Sequence, residues 1–164
     1  MIDHQVNIFN SPTLGTLSLA RLVDEVVAFI EREDNSHFRI IVGTDSELAG
    51  PSRAHFVPAV VVHHVGHGGV YFWGSVHKDN IKTLRQRIYE EATYSLSLAQ
   101  RIIDEFQVRN LPLDKILEIH VDIGPNGETK NLISEVVGMI KGSGFVCKIK
   151  PDSFGASNVA DRHT

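Results

Sequence analysis

The sequence predicts an α/β fold: a five-stranded mixed sheet, an antiparallel meander followed by two parallel strands, with helices on both faces. Three observations point to it. Three β-rich runs follow one another between residues 38 and 77 with only short breaks. Two later apolar runs, near 116–122 and 145–149, are each reached through a segment of helical periodicity. Short connections suit antiparallel neighbours, whereas strands joined through a helix return parallel in the same sheet.

The elements follow in order. Leu19, Leu22, Val23, Val26, Val27 and Ile30 recur at helical spacing behind Ser18, a suitable N-cap, and predict a helix over 18–33. Phe38 to Gly43 is a first strand, ending at Thr44-Asp45-Ser46, and His55 to Val65 a second. Pro58 has no N–H to give a ladder, so it belongs at a bulge or a ladder edge. His67-Gly68-Gly69 turns the chain into a third strand, Val70 to His77. The longest helical pattern covers about 81–109, with Leu84, Ile88, Glu91, Ser95, Leu98 and Ile102 on one stripe, closed by Leu111-Pro112. Ile116 to Asp122 is the fourth strand, Glu128 to Lys141 a helix, and Phe145 to Ile149 the fifth strand. A last helix is predicted to start near Ser157. With no repeat, low-complexity tract or linker, 164 residues form a single domain.

Composition sets limits. The lone cysteine, Cys147, permits neither an internal disulfide nor a cysteine zinc cluster, and its apolar setting predicts a buried, inert thiol. No basic segment precedes an apolar run at the N-terminus, and the longest apolar stretch, Pro58 to Val62, cannot span a bilayer; a cytoplasmic protein is expected. The net charge of −4 argues at first against nucleic acid.

Carboxylates carry the chemical signal. Asp45 and Asp122 each follow a buried strand, in Ile41-Val42-Gly43-Thr44-Asp45 and His120-Val121-Asp122-Ile123-Gly124. Either alone reads as a turn-capping aspartate. Were their two strands adjacent and parallel, two such charges would repel unless a cation lay between them. Glu91 falls on the apolar stripe of the long helix, where a charge needs a partner. Its neighbour Glu90 falls on the flank with Arg87, where a solvated or i,i+3 paired residue is expected.

Two other patterns lose their appeal on inspection. Gly124-Pro125-Asn126-Gly127-Glu128-Thr129-Lys130 lacks the spacing of a Walker loop, although its turn could offer N–H groups to one phosphate. His63 and His64 point to opposite faces of a strand and cannot readily share a zinc ion with His67; surface or turn histidines are expected.

The element order is similar to that of the ribonuclease H-like superfamily. The closing stretch Lys150-Pro151-Asp152-Ser153, then Ala156-Ser157 and Ala160-Asp161-Arg162 with Thr164, resembles the ribonuclease H-like YkuK family, bacterial proteins of unassigned function. Gly43-Thr44-Asp45-Ser46, Ile88-Tyr89 before Glu91, Ser95-Leu96 after it, and Asp122-Ile123-Gly124 carry the same resemblance along essentially the whole chain. Phe154-Gly155 departs from the aromatic-Ala pair expected there without touching a carboxylate.

The resemblance implies that Asp45, Glu91, Asp122 and Asp161 occupy the four acidic positions of ribonuclease H-like nucleases. It further implies that Asp45 and Asp122 stand about one strand spacing (~4.8 Å) apart. Such a site holds two Mg²⁺ or Mn²⁺ ions, which hard oxygen donors select. Asp45 is expected to bridge both ions, Glu91 and Asp122 to hold one, and Asp161 the other. Setting these four aside leaves 16 acidic against 16 basic residues, so the net charge does not exclude a nucleic-acid substrate. Lys150 and Arg162 are candidates for phosphate contact. The expected activity is metal-dependent phosphodiester hydrolysis, with DNA or RNA left open. Two alternatives use the same fold: a non-catalytic module binding nucleic acid or protein, and a small-molecule phosphatase.

Overall fold

A computed structural model describes residues 5–32, 37–113 and 116–153. The chain opens with a small hairpin, β1 (Phe9–Ser11) and β2 (Gly15–Leu17), followed by helix α1 (Leu19–Arg32). The Ser18 hydroxyl accepts from the Arg21 N–H at 3.2 Å and so caps α1 as its sequence position predicts. Strands β3 (Phe38–Leu48), β4 (Arg53–His64), β5 (Gly68–Trp73) and β6 (Val76–Asp79) precede the long helix α2 (Leu84–Val108). Then come β7 (Leu117–His120), a 3-10 turn at Lys130–Leu132, helix α3 (Ile133–Gly142) and β8 (Val146–Lys148). The sheet runs β2-β1-β5-β4-β3-β7-β8, with β6 beside β4. The predicted meander is β3-β4-β5, and the two predicted parallel strands are β7 and β8.

Three short strands, β1, β2 and β6, exceed the predicted five. The predicted third strand is in fact two, because β4 is long enough to pair with both. β5 ends at Ala59↔Trp73 and β6 begins at Phe56↔Val76, leaving a break opposite Pro58. There the Pro58 carbonyl accepts from the Gly74 N–H at 2.8 Å. A strand residue projects its nitrogen and carbonyl to the same edge, so the missing proline donor falls where the ladder is interrupted. Pro58 is thus internal to the β3–β4 ladder and at a ladder edge on the other side.

Two further boundaries shift. β3 runs on to Leu48 instead of ending near Asp45, because β4 pairs with it the whole way, Leu48↔Ala54 included. α3 starts at Ile133, later than the sequence pattern suggests, since residues 125–129 form bends and turns. α2 begins with a reciprocal cap: the Thr83 hydroxyl accepts from the Gln86 N–H at 3.0 Å, and the Gln86 side chain accepts from the Thr83 N–H at 3.0 Å.

One apolar cluster joins Ile40 and Val42 of β3 to Leu22 and Val26 of α1, Leu98 and Ile102 of α2, and Val136 and Ile140 of α3. The three described helices therefore share one sheet face. On the other face Ile41 and Ala59 pack with Val61, Tyr71 and Trp73. The helix predicted from Ser157 lies outside the described residues. Among the described residues no helix is long and apolar enough to cross a membrane.

His64 corrects the expectation of surface histidines: it is buried, stacked between Phe38 and the exposed turn residue His67. Cys147 is half-buried, and burial pushes its thiol pKa up.

Candidate functional site

A polar seam joins β3 to α2 in an otherwise apolar interface. Pleating sends alternate β3 side chains to one face, and Thr44 and Ser46 follow Ile40 and Val42 towards α2. On α2, Arg87, Glu91 and Ser95 stand four residues apart and so lie on one stripe. The two ladders meet. The hydroxyls of Thr44 and Ser95 lie 2.8 Å apart, and the Ser46 hydroxyl donates to Glu91 Oε1 at 2.6 Å. Arg87 Nε donates to the same Ser46 Oγ at 3.1 Å. Thr44, Ser46, Glu91 and Ser95 are all buried, Glu91 with 4% of its surface exposed.

Glu91 is thus a carboxylate in the core, facing inward as the apolar stripe predicts. Burial raises its pKa and outweighs the Ser46 hydrogen bond; the charges of Asp45 and Asp122 raise it further, against Arg87, and the result is about 8. Glu90 faces a different partner from the one expected: it pairs with Lys78 at 2.9 Å, while Arg87 turns towards Ser46. The cross-strand reach of Lys78 from β6 was not visible in helical spacing, and β6 itself was not foreseen as a separate strand.

Asp45 lies within β3, half-buried, and the pleat carries it to the side opposite Thr44 and Ser46. Its Oδ1 accepts the Ser46 backbone N–H at 2.9 Å. Asp122 follows β7, two residues past its end at His120. The parallel β3–β7 ladder stops at Val42↔Ile119. Beyond it the chain is tied to the β8 side, Val121 N–H to Lys148 O at 2.9 Å and Lys150 N–H to Ile123 O at 2.8 Å. The ladder that would set one strand spacing between Asp45 and Asp122 therefore ends before either residue.

Lys150 reaches back to Asp122, with Nζ 3.0 Å from Oδ1. Gly124 permits this approach: a Cβ there would stand 2.9 Å from the Lys150 Cβ. Asp161 and Arg162 lie outside the described residues. Among the described residues no group of three or more His, Cys, Asp or Glu side chains stands at a spacing that would hold one metal ion. In kind, however, the donors fit a hard divalent cation, being carboxylate oxygens flanked by hydroxyls without thiolate or imidazole.

The sequence matches the profile described as Ribonuclease H-like over residues 21–164. The chain belongs to the ribonuclease H-like family. It is also 31% identical to the uncharacterized protein YkuK of Bacillus subtilis (strain 168) over 170 residues, covering 96% of each chain. No solved structure gives a significant match. In this ribonuclease H-like chain, Thr44, Ser46, Arg87 and Ser95 were missed as site residues by sequence reasoning. A signal existed: polar residues two apart on a buried strand and four apart on a helix, two periodicities that meet when the elements pack.

Proposed function

We propose that this ribonuclease H-like protein is a divalent-metal-dependent nuclease. One observation supports the reading above all: Glu91 is a carboxylate buried at the β3–α2 seam, hydrogen-bonded among the described residues to a single hydroxyl, and two aspartates act on it. Burying such a group without a cation costs stability, and a site that retains the cost implies a cation ligand as its use. Asp45, Glu91 and Asp122 would hold Mg²⁺ or Mn²⁺ together with Asp161. Bound ions would supply charge stabilisation and a deprotonated water for in-line phosphodiester hydrolysis. The chain's own residues do the rest. The Ser46 hydroxyl fixes one oxygen of Glu91, leaving the other for an ion. Lys150, more than half exposed, can leave Asp122 for a substrate phosphate.

Cleavage of single-stranded, duplex, hybrid and branched substrates with Mg²⁺ or Mn²⁺ tests this reading. Wild type should cut at least one of them, while Asp45→Asn and Glu91→Gln should not. The Lys150–Asp122 ion pair favours a second reading, in which a lysine replaces a cation and the fold binds nucleic acid without cutting it. Metal-independent binding with no cleavage of any substrate would select it.

A further inference from the structure

The Ser46 hydroxyl has two partners, accepting from Arg87 Nε and donating to Glu91 Oε1. Arg87 and Glu91 are one helical turn apart on α2, so a single hydroxyl fixes both side chains. Arg87 uses only its Nε in this bond. Among the described residues its two Nη groups make neither a hydrogen bond nor an ion pair.

That is unusual one helical turn from Glu91, on which Asp45 and Asp122 also act. A guanidinium ordinarily closes its donor fork onto a carboxylate, since paired charge-assisted bonds are the strong ones. Other arginines of the molecule put their Nη groups on carboxylates: Arg85 pairs with Glu135 at 2.8 Å, and Arg109, at the far end of α2, pairs with Asp24 at 2.9 Å and with Glu105 at 2.6 Å. Lys150, the other cation at the site, is already on Asp122. Among the described residues Arg87 is therefore a cation held in place by its Nε with its fork open. A planar fork of N–H donors matches two oxygens of a phosphate group.

We propose that Arg87 is a phosphate-binding residue, its Nη pair taking the non-bridging oxygens of a phosphate group of the substrate one turn along α2 from Glu91. Ser46 is its positioning residue. The inference rests on the nuclease reading only for the source of the phosphate, a nucleic-acid backbone instead of a small phosphomonoester.

The test uses the full chain in Mg²⁺ with two probes, inorganic phosphate and a single-stranded oligonucleotide. In wild type, phosphate should shift the Arg87 Nε–Hε NMR resonance. Arg87→Gln should weaken phosphate binding about tenfold or more, as expected for a lost charge-assisted pair, and keep the Mn²⁺-induced rise in melting temperature. Its oligonucleotide salt slope should fall by roughly one phosphate contact. Arg87→Lys, which keeps the charge without the fork, should restore the salt slope but not the phosphate affinity. If phosphate binds through Arg87 while no form of the protein binds the oligonucleotide, the inference stands and the nucleic-acid reading falls. An unmoved Arg87 resonance, or phosphate affinity in Arg87→Gln equal to wild type, overturns the inference whether or not the protein is a nuclease.

Discussion

Two glutamates flank the central strand pair, and the protein treats them in opposite ways. Glu118 lies on β7, level with Ile41, with 12% of its side chain exposed. Burial works against its charge, but hydrogen bonds from His120, at 2.6 Å, and from Arg39 outweigh the penalty and hold its pKa below the ordinary value. Glu91, on α2, is buried more deeply: burial, with the fields of Asp45 and Asp122, outweighs one hydroxyl and the field of Arg87 and pushes its pKa to about 8. Buried carboxylates become structural when cations are built in around them. Where the nearby cation is held on a hydroxyl instead of on the carboxylate, as Arg87 is on Ser46, the carboxylate stays perturbed, and perturbed groups of this kind gather at functional sites.

The largest test of the contrast is pH. Between the ordinary value of 4.5 and about 8, folded Glu91 keeps a proton that the unfolded chain has released. Metal-free stability should therefore fall as pH rises through that window, by on the order of 3–5 kcal/mol at about 1.4 kcal/mol per unit. Glu91→Gln should abolish most of that slope in urea melts run in chelator from pH 5 to 9. An unchanged slope would show that Glu91 is not the uncompensated group.

Metal should reverse the penalty. At a hundredfold excess over Kd, Mn²⁺ should stabilise wild type by about 2.7 kcal/mol, as any ligand of the native state does. Asp45→Asn should lose the rise in a thermal melt. Equal Mn²⁺ binding by the two proteins in titration calorimetry would remove Asp45 from the site.

Glu118→Gln should behave in the opposite sense to Glu91→Gln, costing about 1–3 kcal/mol at pH 7 by replacing the charged acceptor of two charge-assisted hydrogen bonds with a neutral one. Because the folded pKa of Glu118 is depressed, its contribution is present above the ordinary carboxylate range and is lost as pH falls through the folded value. The cost should accordingly disappear in strong acid; one that persists there would make Glu118 a packing residue. The smallest effect is expected at Glu90, whose partly exposed pair with Lys78 is worth ~0.5 kcal/mol. Glu90→Gln should leave metal binding and cleavage unchanged, and a loss of either would place Glu90 in the site beside Glu91.

The sequence by itself determined the order of the main strands and helices, the inward phase of Glu91 and the family, because periods of 2.0 and 3.6 are local properties and the motifs keep their order along the chain. It also foresaw that Pro58 needed a gap in a ladder. Tertiary structure alone decided which strands a long β4 would take as partners, and hence that Lys78 of β6 would claim Glu90. It likewise decided that Arg87 would face Ser46 across two elements 41 residues apart. The end of the β3–β7 ladder at Val42↔Ile119 was equally out of reach, because the hydrogen bonds that draw the Asp122 segment towards β8 join residues 27 apart in sequence. Periodicity fixes which way a side chain faces on its own element; what it faces depends on register and packing between elements, which no local pattern encodes.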